Sequence, residues 1–341
     1  MRRAIGVMLI GLGVFSIVLA VLFPTVVVPR SKKIPLDTNV TVIATGPAKV
    51  LDASTGQVKD VNLRATQIVR SDTNASDSTN TTQNESACIV IVQGTTPNCV
   101  AATDPRLLTV TTDRVTTDRK TAEAVHIAGW NEAVNGDTSV RHTGLAYEWP
   151  IDSKKQTYQF YQPDLKAAFP ANFVRTEKIN GMTTYVYVSD TGTHPYQIQG
   201  IAPGTYTDRR TVWVEPHTGA VLKGQDTQVQ TLANGQLALS TTLTIDDASI
   251  ASMTKTSKDA INKITLASLW APLALTVISL ASLIGGWFLL RKRGRHPSEG
   301  GGRRGADQIP PDWMPDDGPT PEAPDTPDRA ATGTYSDISQ T

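Results

Sequence analysis

Net charge, histidine and cysteine are all scarce in this chain, and each scarcity narrows what it does. Lysine and arginine number 32 against 32 aspartates and glutamates, so no basic excess is present to collect nucleic-acid phosphates. Of five histidines, His126, His142, His194 and His217 stand singly between the two long apolar runs, with no metal-ligand spacing, and read as surface or turn residues. No Gly-x-Ser-x-Gly elbow, His-Glu-x-x-His helix or phosphate loop occurs. The sequence therefore assigns no catalytic, cofactor-binding or metal-ligating residue, and a non-enzymatic role is expected.

What the chain does have is two long apolar runs. Ile264 to Leu290 carries no charge and is long enough as a helix to cross a hydrocarbon layer of ~30 Å, with Trp270 and Trp287 placed for the two interfaces. Ala4 to Val28 is likewise uncharged. Its apolar part exceeds a signal-peptide core and "FPTVVVPRSKK" follows instead of a cleavage site, so residues 1–28 read as an uncleaved transmembrane anchor. Arg291, Lys292, Arg293 and Arg295 past the second span place the C-terminus in the cytoplasm by the positive-inside rule, and two crossings return the N-terminus to the same side. The expected location is the plasma membrane, with residues 29–263 extracytoplasmic and in contact with membrane lipids.

That external segment carries 23 basic against 23 acidic residues and is rich in Thr, Val, Asn and Gln in short alternations between turns. This pattern predicts a mainly β domain, an antiparallel sheet, sandwich or barrel-like arrangement with few short helices, α+β overall once the two membrane helices are counted. Leu237 to Ile245 alternates cleanly, and Gln156–Tyr161, Met182–Val188 and Thr211–Val214 behave similarly. Asp164 to Phe169 reads as a short helical turn. From Asp246-Asp247 a capped helix is expected to lead over residues 246–263 into the second span. The polar run Ser71 to Ser86 offers little to bury and reads as a mobile loop. Residues 291–341, with eight of the 21 prolines, read as a disordered cytoplasmic tail that can carry a protein-partner motif.

Both cysteines lie in the external segment, where an oxidising compartment should join Cys88 to Cys99 and add roughly 2–3 kcal/mol through the unfolded state. A motif acid-x-x-Thr-small-x-apolar recurs at Asp52–Thr55–Gly56, Asp118–Thr121–Ala122 and Glu215–Thr218–Gly219. It reads as a hairpin turn in which the acid holds backbone N–H groups and the glycine takes positive φ; with Ala122 in the glycine position, a different turn is expected there. Tyr147, Trp149, Tyr158, Phe160, Tyr161, Phe169 and Phe173 form an aromatic cluster that either lines a groove for an acyl chain or glycan or makes the core of a hairpin.

The stretches "GLAYEWPIDSKKQTYQFYQPDL", "DRKTAEAV" and "WVEPHTGAVLKG" between two terminal anchors resemble actinobacterial cell-envelope proteins of the porin PorA family, whose name attaches to a domain of otherwise unknown function. The resemblance implies a channel. The alternation places Thr, Gln and Asn on the face away from the core, which does not suit a lipid-facing barrel, so a channel would need oligomerised spans. Three functions follow: an external domain that binds or transfers an envelope component such as a lipid or glycolipid, or scaffolds a partner; an oligomeric porin-like channel; and an envelope enzyme.

Overall fold

The computed structural model describes residues 1–198 and 202–291. The chain opens with α1 (Arg2–Leu22), a π-helical turn at Phe23–Val27 and α2 (Val28–Ser31). It closes with α3 (Asp247–Thr265), a second π-helical turn at Leu266–Trp270, and α4 (Ala271–Leu290). Between them run β1 (Asn39–Asp52), β2 (Gln57–Asp72), β3 (Asn80–Ile91), β4 (Leu107–Asp118), β5 (Ala133–Val134), β6 (Tyr158–Gln162), β7 (Ala167–Ile179), β8 (Met182–Ile198), β9 (Ala202–Val214), β10 (Val221–Leu232) and β11 (Leu237–Ile245).

All eleven strands join one antiparallel sheet in the order β5-β4-β3-β2-β1-β11-β10-β9-β8-β7-β6. It is a single rolled sheet, a half-barrel rather than a two-layer sandwich. The segment between β4 and β6, on both sides of the short β5, closes the gap between the sheet's edges: Thr117 bridges Ala124, Glu123 bridges Leu145, and Leu145 bridges Phe160. The outward positions of β9, β10 and β11 carry Thr207, Arg209, Thr211, Gln225, Thr227, Thr242 and Thr244, several hydrogen-bonded across strands, so this face is built for water.

The two helical ends are long and apolar enough to cross a membrane, over Arg2–Arg30 and within Asp247–Leu290. Their apolar parts pack antiparallel. Gly6, Gly13, Ser16 and Ala20 of α1 are buried against Ser279, Ser282 and Gly286 of α4, and the Ser279 hydroxyl donates to the Gly13 carbonyl at 2.7 Å. Small residues let the backbones approach, an arrangement also seen in helix pairs within membranes. Asp246 caps α3 by accepting from the Ser249 N–H, as the acidic pair predicted.

Cys88 and Cys99 are bonded, with Cα atoms 5.7 Å apart. The bridge holds the loop after β3 back on the sheet, where the Asn98 carbonyl accepts from the Thr66 hydroxyl at 2.9 Å.

Three expectations fail. Ser71 to Ser86 is not a loop: β2 runs to Asp72, a single 3-10 turn occupies Thr73–Ala75, and β3 begins at Asn80. Asp72 accepts from the Asn74 N–H at 3.0 Å and Asp77 from Thr79 and Asn80 at 2.6 and 2.7 Å, so the polar side chains themselves fold the turn. Thr81, Gln83 and Glu85 are then buried, because the sheet's inner face is itself polar there, and Thr82 is buried on the opposite face, its hydroxyl paired with that of Thr116. Asp164 to Phe169 is a non-helical turn that gives way to β7 at Ala167. Ala122 keeps the turn of its glycine-bearing counterparts, with φ of 58° against 68° at Gly56 and 75° at Gly219. Its methyl group packs into the core, which compensates the strain of a left-handed alanine. Lys292, Arg293, Arg295 and the rest of the expected tail lie outside the described residues.

The helix contact makes a paired prediction. A Cβ on Gly13 would stand 2.6 Å from Leu283 Cγ and 3.1 Å from the Ser279 carbonyl, whereas one on Gly11 meets nothing within 4 Å. Gly13→Leu should lower the thermal stability of the detergent-solubilised protein by about 1–3 kcal/mol, and Gly11→Leu should leave it near wild type. Equal melting of the two variants would show that the helices do not rely on this contact.

Candidate functional site

The inner face of the rolled sheet is layered. Toward the helices lies an apolar plug in which Ile34, Ala122, Leu145, Trp149, Phe160 and Tyr187 pack together with Val212 and Val214. Trp149 stacks on Phe160 with ring centroids 4.9 Å apart and meets Tyr187 at 5.5 Å. At the other end Ala48, Leu63 and Leu243 form a second apolar cluster. Between them runs a belt of buried polar and acidic groups.

The acid-x-x-Thr turns shape the plug. Glu215 accepts from the N–H groups of His217 and Thr218 at 3.1 and 2.8 Å, and Asp118 accepts from those of Lys120 and Thr121, both at 2.8 Å. Asp52 accepts from Ser54 N–H at 2.9 Å at the opposite end of the sheet. Gly219 has a second duty. Trp149 N–H donates to its carbonyl at 3.0 Å, and a Cβ there would lie 2.1 Å from the Trp149 carbonyl, so glycine lets this tip close on the plug.

The predicted aromatic residues divide. Trp149 and Phe160 are plug residues, with Tyr158 and Phe173 packed against them. Tyr161 is buried beside His142, its ring 4.4 Å from the imidazole, and the Tyr147 hydroxyl donates to Asp113. Phe169 sits apart, edge-on to His194. The cluster is thus mostly interior packing.

The belt is what sequence reasoning missed. His142, expected at the surface, is fully buried: its Nδ1 lies 2.9 Å from Glu132 Oε2 and its Nε2 2.8 Å from Asp113 Oδ1. Burial opposes the imidazolium, but the Asp113 and Glu132 carboxylates outweigh it and raise the His142 pKa. With both nitrogens so held and the Tyr147 hydroxyl given to Asp113, the group is arranged as a clamp joining β4 to the closing segment. On β9 and β10, Arg210 pairs with Asp226 at 2.9 Å, Gln162 donates to Asp208, and the Tyr206 hydroxyl donates to Asp164 at 3.2 Å. Gln67 donates to Glu85 at 3.0 Å and Gln83 reaches Glu148 at 3.5 Å.

Buried carboxylates so outnumber cations that the belt holds protons. Burial pushes Glu85 and Glu148 each up to about 7. It also raises Asp208 well above the carboxylate range despite Arg210, while Arg210 keeps neighbouring Asp226 low against its own burial. A proton carried by Asp208 and donated to Asp226 pairs two oxygens, the Oδ1 atoms, that otherwise have no partner among the described residues. No group of three or more His, Cys, Asp or Glu among the described residues is arranged to hold a metal ion.

Because Glu85 and Glu148 bind protons more tightly folded than at their ordinary 4.5, their stability contribution is full below that value and is lost as pH rises through about 7. Each group should cost about 1.4 kcal/mol per pH unit across that window. The β domain should therefore melt lower at pH 8 than at pH 5, and Glu85→Gln with Glu148→Gln should shrink the difference, leaving the part carried by Asp208 and His142, whose pKa values are also raised. Thermal unfolding by circular dichroism reads both; a wild-type melting temperature that rises with pH would contradict it.

The model of the Porin PorA family matches residues 5–288, from the first turns of α1 through nearly all of α4. A Porin PorA of Corynebacterium amycolatum is 27% identical over 219 residues, covering 55% of this chain and 57% of that protein. A Porin PorA of Corynebacterium resistens is 25% identical over 225 residues, covering 55% of this chain and 52% of its own length. The chain thus spans about half the length of these curated relatives. Since the family match takes in both terminal helices and the entire sheet, the chain belongs to the Porin PorA family.

Proposed function

We propose that this chain is a non-enzymatic, membrane-anchored subunit of an oligomeric porin-like channel in the cell envelope, with both termini cytoplasmic and the β domain outside. The observation that carries the reading is the antiparallel α1–α4 pair in a chain whose relatives are called porins. Antiparallel packing returns both helix ends to one side, in keeping with the basic residues that follow Leu290. A single pair has no lumen, because the Ser279 hydroxyl and the Gly13 carbonyl fill its centre, so conduction requires several chains. The sheet stands in water at the mouth of such an assembly, because its Thr-, Gln- and Arg-bearing outer face does not suit lipid.

One observation favours a second reading, in which the external domain binds or passes along an envelope component, such as a lipid or glycolipid, or scaffolds a partner without conducting. The helix surfaces turned away from the pair are mostly apolar, with Val7, Val14, Phe15, Val277, Leu280 and Ile284 all exposed, and they offer few polar groups for an aqueous path. Planar bilayers separate the two. Purified full-length protein is expected to give stepwise conductance that rises steeply with protein density; silent bilayers at every density, with insertion verified, would remove the channel and leave the second reading.

A further inference from the structure

The two segments by which the helix pair enters the β domain are both basic. Residues 30–33 contain Arg30, Lys32 and Lys33 with no acid, and residues 255–263 contain Lys255, Lys258 and Lys263 against Asp259 alone. They meet at one level, because the π-helical turns at Phe23–Val27 and Leu266–Trp270 lie against each other. Trp270, exposed beside them, lies six residues into the apolar run that begins at Ile264. Lys32 is neutralised by Asp152 at 2.9 Å. Lys33 and Lys258 are held differently: their Nζ atoms donate to main-chain carbonyls, of Ser78 at 2.5 Å and of Asn180 at 3.1 Å, so they are positioned without losing their charge.

We propose that Arg30, Lys33, Lys255, Lys258 and Lys263 form a collar that binds the phosphates of anionic phospholipids in the leaflet beneath the β domain. Six residues of helix separate Lys258 from Ile264 at the start of the apolar run, a rise of about 9 Å, which is close to the ~8 Å Debye length at physiological salt. Anionic headgroups there lie within about one Debye length of Lys258 and Lys263, with Lys255 three residues further out. The Ser78 and Asn180 contacts fasten the collar to two strand-end turns of the half-barrel, and Ile34, one residue past Lys33, is buried in the plug. Lipid bound at the collar would therefore bear directly on how the domain sits over the membrane. The charges work against the cytoplasmic cluster after Leu290 in orientation, and a headgroup-binding role gives them a reason to be there.

The inference rests on the reading that the helix pair spans a bilayer, and the test separates the two. Full-length protein is reconstituted into vesicles of equal phosphatidylcholine and phosphatidylglycerol, floated, gently extracted, and its retained lipids counted by native mass spectrometry. Wild type should retain phosphatidylglycerol preferentially. A variant with Lys33, Lys255, Lys258 and Lys263 changed to Ser should lose that preference by about ten-fold or more. The same four changed to Arg should keep it, as should Lys49→Ser with Lys59→Ser at the far end of the sheet. A chain that floats without preferring the anionic lipid, or a Ser variant that still prefers it, overturns the collar alone; a chain that does not float overturns the spanning reading and the collar with it.

Discussion

The first and last strands of the β domain lie side by side in the middle of its sheet, and the architecture depends on that seam. β1 and β11 pair from Ala44 opposite Ile245 to Val50 opposite Leu239. Their approach is so close at Gly46 that a Cβ would stand 1.9 Å from the Thr242 carbonyl, so only glycine fits. A seam between the domain's own ends delivers α2 and α3 to one place on the rim. Two helices delivered together and running in opposite senses can pair along their length, and glycine and serine let them.

Much of this was legible because its signals are one-dimensional. An uncharged run of sufficient length reads as a helix that can cross lipid, Asp246 before a helical stretch reads as a cap, and Leu237–Ile245 reads as a strand by strict alternation. The Cys88–Cys99 pair could be named from compartment and proximity alone. The interior was not legible, for a physical reason. Alternation identifies two faces of a strand but assumes that the apolar one points inward. In β3 and β4, Glu85 lies opposite Asp113 on the inward side, so the rule turned buried strand into solvated loop over Ser71–Ser86. His142 was lost in the same way, since its partners Asp113 and Glu132 are distant in sequence and adjacent only once the closing segment crosses the gap. A hint was present in the polar residues at two-residue spacing, Gln83 and Glu85 beside Asp113, within runs otherwise rich in Thr and Val.

A belt of protonated and paired carboxylates is an expensive way to fill a sheet, because apolar side chains of similar volume would stabilise it more. What the belt supplies is register. His142 can satisfy both nitrogens only when β4 and the closing segment are correctly placed, and Arg210 can meet Asp226 only with β9 and β10 in their observed pairing. The half-barrel has few other devices to fix its edges, since β5 is two residues long and β6 five. Specific polar contacts there hold what apolar packing at the two ends would leave free to slide.

The layering also constrains any account of transport. A passage along the axis of the half-barrel would have to cross the plug, where Trp149, Tyr187, Leu145 and Val214 are each almost wholly buried. It would then meet the α1–α4 contact, which is filled by side chains and a serine hydroxyl. Among the described residues neither the sheet nor the helix pair of one chain holds an open path, and the outer surface of the sheet is too polar to suit lipid. Under the proposed channel reading, a solute would therefore pass between chains. The surfaces that neighbouring chains would present to one another are the apolar flanks of α1 and α4, so such a path would be gated by whether water wets it rather than by fixed charge.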